Sequence, residues 1–261
     1  MRYLKLYLVF IKQSLIKLMA YRANFYLILI NNFTYFAIQL IFLKVIYSQV
    51  DSLGGWTKYE MIFYIGTFNI IDSLWVLGPY FNLTNIPELI RSGMLDFYIT
   101  KPVSSQFMIS LRNVEIGSIF SMMAGIAIAG YALAAGDMTL TFGKAILYII
   151  AIFHALLVEY GIYFMMTCLS FWIIKTDFVE KVYGILCYFS NRPVDIYKGF
   201  IRFILCYILP YGLIMTIASK SVVKSVDLLE FIGFLVLSWC FLGCSILFWR
   251  FSLKRYSSAS S

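Results

Sequence analysis

Two carboxylates, one imidazole and one short charged motif are the residues with chemistry to offer. Asp72 lies near the middle of the run 61–81, in which it is the one interruption. Glu159 lies near the middle of the run 145–174, which also holds His154, the chain's single histidine. A charged side chain at the centre of a bilayer costs at least about 2.5 kcal/mol, so each acid must face protein or a wet cavity. On one reading Asp72 and Glu159 line a translocation path that favours cationic or hydrogen-bonding cargo. On the other they are neutral acids bonded to Tyr, Asn or Ser of a neighbouring helix, gluing the bundle. His154 sits five residues before Glu159, about 140° round a helix, so the two do not share a face. It reads as a satisfied bundle residue.

The familiar catalytic patterns are missing. There is no G-x-x-x-x-G-K-[ST]; Gly143-Lys144 is followed by Ala145, so no P-loop holds a nucleotide here. One histidine cannot make an H-E-x-x-H zinc site. No G-x-S-x-G elbow presents a serine to His154. The five cysteines, Cys168, Cys187, Cys206, Cys240 and Cys244, form no C-x-x-C pair and read as buried, inert thiols. The chain is read as not an enzyme, with no metal site and no cofactor of its own.

The elements that carry these groups must live in lipid. Of 261 residues 62% are hydrophobic and 13% charged, and the mean hydropathy is +0.85. A soluble domain averages about a quarter charged. That excludes soluble enzymes, coiled coils, collagen and disordered chains. With 21 Lys and Arg against 13 Asp and Glu, the chain suits an anionic cytoplasmic leaflet. No clustered basic face suggests a nucleic-acid partner.

Residues 1–22 read as an amphipathic interfacial helix rather than a signal peptide. Arg2, Lys5, Lys12, Gln13 and Lys17 fall on one face, and Leu4, Leu8, Ile11, Leu15 and Leu18 on the other. About 20 apolar residues cross a bilayer, which predicts spans at 23–43, 61–81, 116–136, 145–174 and 231–249. Lys and Arg at both ends of the chain, with Arg250, Lys254 and Arg255 in the tail, put both termini in the cytoplasm. That requires an even number of spans, and six is the economical number. The fifth can be drawn in two ways. It starts near residue 178 and is followed by a re-entrant hairpin over 193–219. Or it is 203–219 itself, with Arg192, Lys198 and Arg202 inside. Charge favours the second drawing. The domain 23–256 is thus a six-span membrane domain, and 257–261 reads as a disordered tail. Asn32-Phe33-Thr34 and Asn82-Leu83-Thr84 match a glycosylation sequon but fall in or beside spans, and read as chance.

The loop after the second span is cytoplasmic on this topology. Thr84 or Asn85 can cap a short helix, Pro87 fits its first turn, Glu88 suits its positive end and Gly93 stops it. Leu89, Ile90, Met94, Leu95 and Phe97 among Glu88, Arg91 and Asp96 make it too apolar for a bare solvated loop. It is either a docking helix for a cytoplasmic partner or a helix lying on lipid. Further on, Arg112 and Glu115 are spaced to pair. Ser121, Gly125, Ala129, Ala132 and Gly136 form a stripe of small residues, read as a close contact within the bundle. Trp56, Trp172 and Trp249 fall at span ends, as belt residues do.

The stretch Ile86-Pro87-Glu88-Leu89-Ile90-Arg91-Ser92-Gly93-Met94-Leu95-Asp96, with Lys101-Pro102 after it, resembles the permeases of type-2 ABC exporters, and in particular the bacterial six-span branch of this length. Asp72-Ser73-Leu74-Trp75, Arg192-Pro193-Val194-Asp195-Ile196-Tyr197, Phe200-Ile201-Arg202 and Leu209-Pro210 are similar to that branch as well. The resemblance covers nearly the whole chain. It implies an all-α polytopic membrane protein with an N-terminal elbow helix. It implies a coupling helix at about 85–100, in which Pro87, Glu88, Leu89, Ile90, Arg91 and Asp96 seat in an ATPase. It implies a short fifth span and an outer re-entrant hairpin containing Pro193 and Pro210, which favours the first drawing. A second proline, which relatives often carry near 217–221, is missing here. The implied partners are ABC ATPase subunits, where ATP and magnesium bind, and a second permease, identical or sister. The implied place is the bacterial cytoplasmic membrane, and the implied activity is export of a hydrophobic or amphipathic cargo. The alternatives from the residues alone are a stand-alone proton-coupled secondary transporter using Asp72 or Glu159, and a non-transporting membrane anchor. No inverted repeat supports the former.

Overall fold

The computed structural model describes residues 2–20, 22–173 and 177–256. The expectations for Thr176 and for the tail 257–261 lie outside the described residues, as do the side chains of Arg2, Lys17, Leu18 and Arg22.

The chain is helical almost throughout, because long apolar runs leave backbone polar groups no water and must satisfy them internally. The helices are α1 (Arg2–Ala20), α2 (Arg22–Ile46), α3 (Lys58–Leu77), α4 (Tyr80–Thr84), α5 (Ile86–Arg91), α6 (Asp96–Ile99), α7 (Ser105–Leu111), α8 (Ser118–Ala135), α9 (Phe142–Cys168), α10 (Asp177–Ser190), α11 (Gly199–Phe203), α12 (Tyr211–Val223) and α13 (Leu228–Leu253). Strands β1 (Ser52–Leu53) and β2 (Trp56–Thr57) form a small hairpin between α2 and α3. Gly54 and Gly55, at φ of 59° and 78°, supply its tight turn.

Helix α3 is the centre of the bundle, 72% buried, whereas α8 and α13 are 22% buried. The small-residue stripe of α8 lies against it. A Cβ on Gly66 would sit 2.7 Å from the Ala129 backbone nitrogen, and one on Gly125 would sit 2.9 Å from the Gly66 carbonyl. The two backbones therefore touch, as the stripe predicts. Gly161 does the same for α9, where a Cβ would meet the Phe241 backbone of α13 at 2.8 Å.

The bundle has two distinct ends. At one lie the 52–57 hairpin, the start of α9, the 193–198 turn and the link from α12 to α13. Here Tyr47 Oη donates to the Trp56 carbonyl (2.8 Å), and Lys144 Nζ to that of Val222 (2.9 Å). Burial, with the Glu60 carboxylate adding, pushes the Tyr47 hydroxyl up to about 12, so it stays a proton donor. At the other end lie α1, α4 to α7 and the close of α9 and α13. Trp249 Nε1 donates there to Ser105 Oγ (3.1 Å). Helix α1 docks by Ser14, whose hydroxyl accepts the Val114 N–H (3.0 Å), and by the Tyr3 ring, 4.9 Å edge-on from Phe107. Phe10 is buried on that side, while Leu4, Leu8 and Leu15 are exposed. The expected two-faced helix therefore has three faces: Lys5, Lys12 and Gln13, an apolar face, and a side held by protein.

Among the described residues, α3, α8, α9 with its 3-10 extension, and α13 are long and apolar enough to cross a membrane. The bent pair 199–223 makes a fifth if it is counted as one span. That pair bears on the two drawings of the fifth span. A straight helix over 203–219 is not formed. Helix α11 runs into a π-helical turn at Ile204–Ile208, Leu209 leaves the helical region (φ −126°, ψ 85°), and Pro210 starts α12 at 84° to it. Proline cannot donate the N–H that would continue the helix. The turns at 193–198 and at 224 lie at the same end of the bundle, as the hairpin drawing requires.

Candidate functional site

Three places gather the residues of interest. The first is the short-helix segment at one end of the bundle. Pro87 stands in the first turn of α5, and Gly93 ends the segment's first part with φ 72°. The expected side-chain cap is not made by Asn85, whose backbone is already helical and links α4 directly to α5. Leu95 N–H closes back on the Leu89 carbonyl (3.0 Å). The segment has two sides. Ile86, Leu89, Leu95 and Tyr98 are buried in the bundle, whereas Met94 and Phe97 are 55% and 51% exposed. Glu88 and Arg91 pair on the exposed side at 2.6 Å. Of the six residues expected to seat in a partner, Leu89 instead anchors the segment. Lys101 Nζ lies 3.5 Å over the Phe97 ring.

Asn82, dismissed as part of a chance sequon, is a buried latch. It donates to the carbonyls of Gly78 (2.8 Å) and Asn113 (2.6 Å) and accepts the Asn113 N–H (2.9 Å). Arg112 does not pair with Glu115. It donates to the Tyr98 hydroxyl, its guanidinium 5.4 Å from the ring centre. Tyr98 is held at its proper height by the buried face, which the spacing of two charges did not reveal.

The second place is a cavity of about 380 Å³ between α2, α3 and α8. Asp72, Asn69, Ser73, Ser118 and Glu115 line it, with Tyr35 and Phe81. Asp72 is thus at a polar cavity, as its cost in lipid demands, and shares it with a second acid.

Glu159 is elsewhere. It lies on α9, fully enclosed, with Oε1 accepting from the Tyr183 hydroxyl of α10 at 3.1 Å. The expected bond of a central acid to a neighbouring tyrosine is made on one of its two oxygens. Around it the rings of Trp75, Tyr163, Tyr183 and Tyr211 follow one another at 5.6, 4.6 and 6.2 Å between centres. Sequence reasoning missed this cluster, though Glu159 and Tyr163, four apart on one helix, were its visible half. His154 points the other way and meets Ser238 of α13.

The third place is the opposite end of the bundle, where Asp195 is a hub. Its carboxylate accepts from Trp56 Nε1 (3.1 Å) and Lys220 Nζ (3.1 Å), and Arg202 lies at 3.4 Å. Lys220 also reaches Glu230 at 3.7 Å. Lys224 Nζ donates to the Gly55 carbonyl (2.7 Å), lies 4.4 Å over the Trp56 ring, and meets Glu60 at 3.9 Å. Trp56 is therefore a buried strut, not a belt residue. Trp249 is likewise buried and bonded, and only Trp172, 42% exposed, behaves as expected. Pro193 opens the turn Val194–Ile196, which is pinned by Val194 N–H on Thr216 Oγ1 (3.0 Å).

These features define a polytopic all-α membrane protein with polar groups enclosed at bundle depth. The model of the ABC-2 family transporter proteins matches residues 33–260, and the chain belongs to that family. The family is a membrane transport component that works with ABC ATPase subunits. No curated protein and no solved structure matches the chain.

Proposed function

We propose that the chain is the permease subunit of an ATP-driven exporter, energised by ATPase subunits on separate chains that bind ATP and magnesium, and paired with a second permease. The observation that carries this is the segment 86–99. Its inner side, Ile86, Leu89, Leu95 and Tyr98, is locked into the bundle, and its outer side offers Glu88, Arg91, Met94 and Phe97. A rigid lever with one free amphipathic face is what a driving subunit can grip.

In this reading the chain makes six crossings, two of them, α2 and α10, beyond the helices that meet the length and composition test. The chain passes between the two ends on α2, α3, α8, α9, α10 and α13, and 193–224 dips in and returns. With the α1 end taken as cytoplasmic, both termini and the lever face the ATPase. The tail's Arg250, Lys254 and Arg255 obey the positive-inside rule. Arg202 and Lys220 on the outer side are balanced by Asp195. ATPase closure moves the lever, and the bundle opens outward to release a hydrophobic or amphipathic cargo, with Asp72 and Glu159 as the polar contacts on its path. The setting is a bacterial cytoplasmic membrane.

The test is purification of the chain from its native membrane in mild detergent. An ATP-binding subunit is expected in near-equal amount. Glu88→Ala with Arg91→Ala is expected to leave the fold intact, since an exposed pair contributes under about 1 kcal/mol, and to uncouple ATP hydrolysis from transport. Full transport by that double variant overturns the lever.

A further inference from the structure

The Glu159 cluster has a property that neither helix packing nor lever motion explains. Glu159 Oε2, the Tyr163 hydroxyl, the Tyr211 hydroxyl and Trp75 Nε1 are all buried, and none of them makes a hydrogen bond to a described residue. Each residue is at least nine-tenths buried. A single orphaned buried polar atom costs about 1–3 kcal/mol, and native interiors hold few. Four in one aromatic cluster, one of them a carboxylate oxygen, call for a partner.

The chemistry of that partner can be read from the atoms. Three of the orphans are oxygens, which can accept, and the fourth, Trp75 Nε1–H, is a donor that an ammonium leaves unpaired, so Trp75 enters the site by its ring alone. A primary ammonium presents three N–H donors and no acceptor. A positive charge beside Glu159 favours its ionised form, with which no described Lys or Arg pairs. The surrounding tyrosine and tryptophan rings attract cations through their faces. Bonding to Tyr183 fixes the orientation of the carboxylate and leaves Oε2 as the free oxygen.

We infer that Glu159, Tyr163, Tyr183, Tyr211 and Trp75 form an enclosed binding site for the primary ammonium group of an amphipathic amine. This rests on the reading of the chain as a transporter and specifies what it carries. The walls differ in length. Glu159 and Tyr163 stand on α9 and Trp75 on α3, both long helices, whereas Tyr183 and Tyr211 stand on α10 and α12, of 14 and 13 residues. Both of the latter are shorter than the ~30 Å of bilayer hydrocarbon, so displacing one moves less of the bundle than displacing α3 or α9. Tyr211 follows directly on the Leu209–Pro210 break, where α12 turns 84° from the helix before it.

The experiment uses the full chain, purified with whatever subunits accompany it and placed in lipid nanodiscs. Binding of 2-phenylethylammonium is compared with that of 2-phenylethanol, an uncharged analogue, by equilibrium dialysis. The ammonium is expected to bind saturably and at least tenfold more tightly. Glu159→Gln is expected to erase that preference, and Tyr163→Phe with Tyr211→Phe, which keep the rings, to weaken the ammonium several-fold. Size exclusion and thermal unfolding check that the variants fold. If Glu159→Gln does not fold, the wild-type preference and the tyrosine pair still decide. Equal binding of the two probes overturns the inference, as does a preference that survives in folded Glu159→Gln. Orphan atoms satisfied only by water predict such equality. The ATPase content of the same preparation separates the two readings. Ammonium preference without an ATPase keeps this site and sinks the exporter. An ATPase with no preference keeps the exporter and sinks this site.

Discussion

At the scale of single residues, Gly66 shows how little room the bundle leaves. The atoms its Cβ would strike are backbone, Ala129 N at 2.7 Å and the Gly125 carbonyl at 2.9 Å, and backbone does not rotate away. Gly66→Ala should therefore destabilise by about 1–3 kcal/mol through overpacking, despite alanine's better helix propensity. Gly130 on α8 has nothing within 4 Å of its Cβ position, so Gly130→Ala should be neutral or stabilising by up to about 1 kcal/mol. Thermal unfolding in detergent reads both, and equal midpoints for the two variants would contradict the close approach. The stripe that makes this contact was legible because spacing of small residues every four positions is a local pattern. Asn82 was not legible, because its value lies in Asn113, 31 residues away.

At the scale of elements, the segment 193–223 is where two rules of sequence reading disagreed. Charge counting put Arg192, Lys198 and Arg202 inside. The fold gives two of these three cations, Arg192 and Arg202, partners within the protein. Asp195 takes up Arg202 and Lys220, and the Arg192 guanidinium lies over the Phe42 and Tyr188 rings, at 5.7 and 5.6 Å. Paired cations no longer report which side they face. In a background without the native cysteines, Lys198→Cys and Lys224→Cys should both react with a membrane-impermeant maleimide from outside intact cells. Reaction of Lys224→Cys alone would restore the straight span over 203–219.

At the scale of the whole molecule, the lever end and the Asp195 end are built differently. The lever end is seated by apolar side chains, Ile86, Leu89 and Leu95, with a charged rim. The other end is stitched by ions. Asp195 joins the β-hairpin, the 193–202 turn and α12, and Lys220 carries the link to α13 at Glu230. Asp195→Ala strands Lys220, which is 14% exposed, beside a distant acid, and leaves the Trp56 N–H without its acceptor. It should lower stability by about 1–3 kcal/mol and loosen the Asp195 end as a unit. Faster exchange at residues 52–60 and 220–230, with 86–99 unchanged, is expected by hydrogen exchange. Unchanged protection at the Asp195 end would mean that packing alone holds it.

What the sequence settled by itself is what depends on short range or on composition. Apolar runs in lipid must close their own hydrogen bonds, so the helices and their approximate bounds were readable, and so was the motif from Ile86 to Gly93, whose first-turn proline and terminal glycine lie within eight residues, although the expected side-chain cap before it is not made. The small-residue stripe followed for the same reason. Tertiary structure alone decided which side of the lever is free, because Leu89 and Met94 are equally apolar and differ only in what covers them. It alone separated Asp72, at an open polar cavity, from Glu159, enclosed among aromatic rings, since both look alike as single acids in apolar runs. And it alone brought Trp56 to Asp195 across 139 positions, a distance at which neither periodicity nor charge counting carries information.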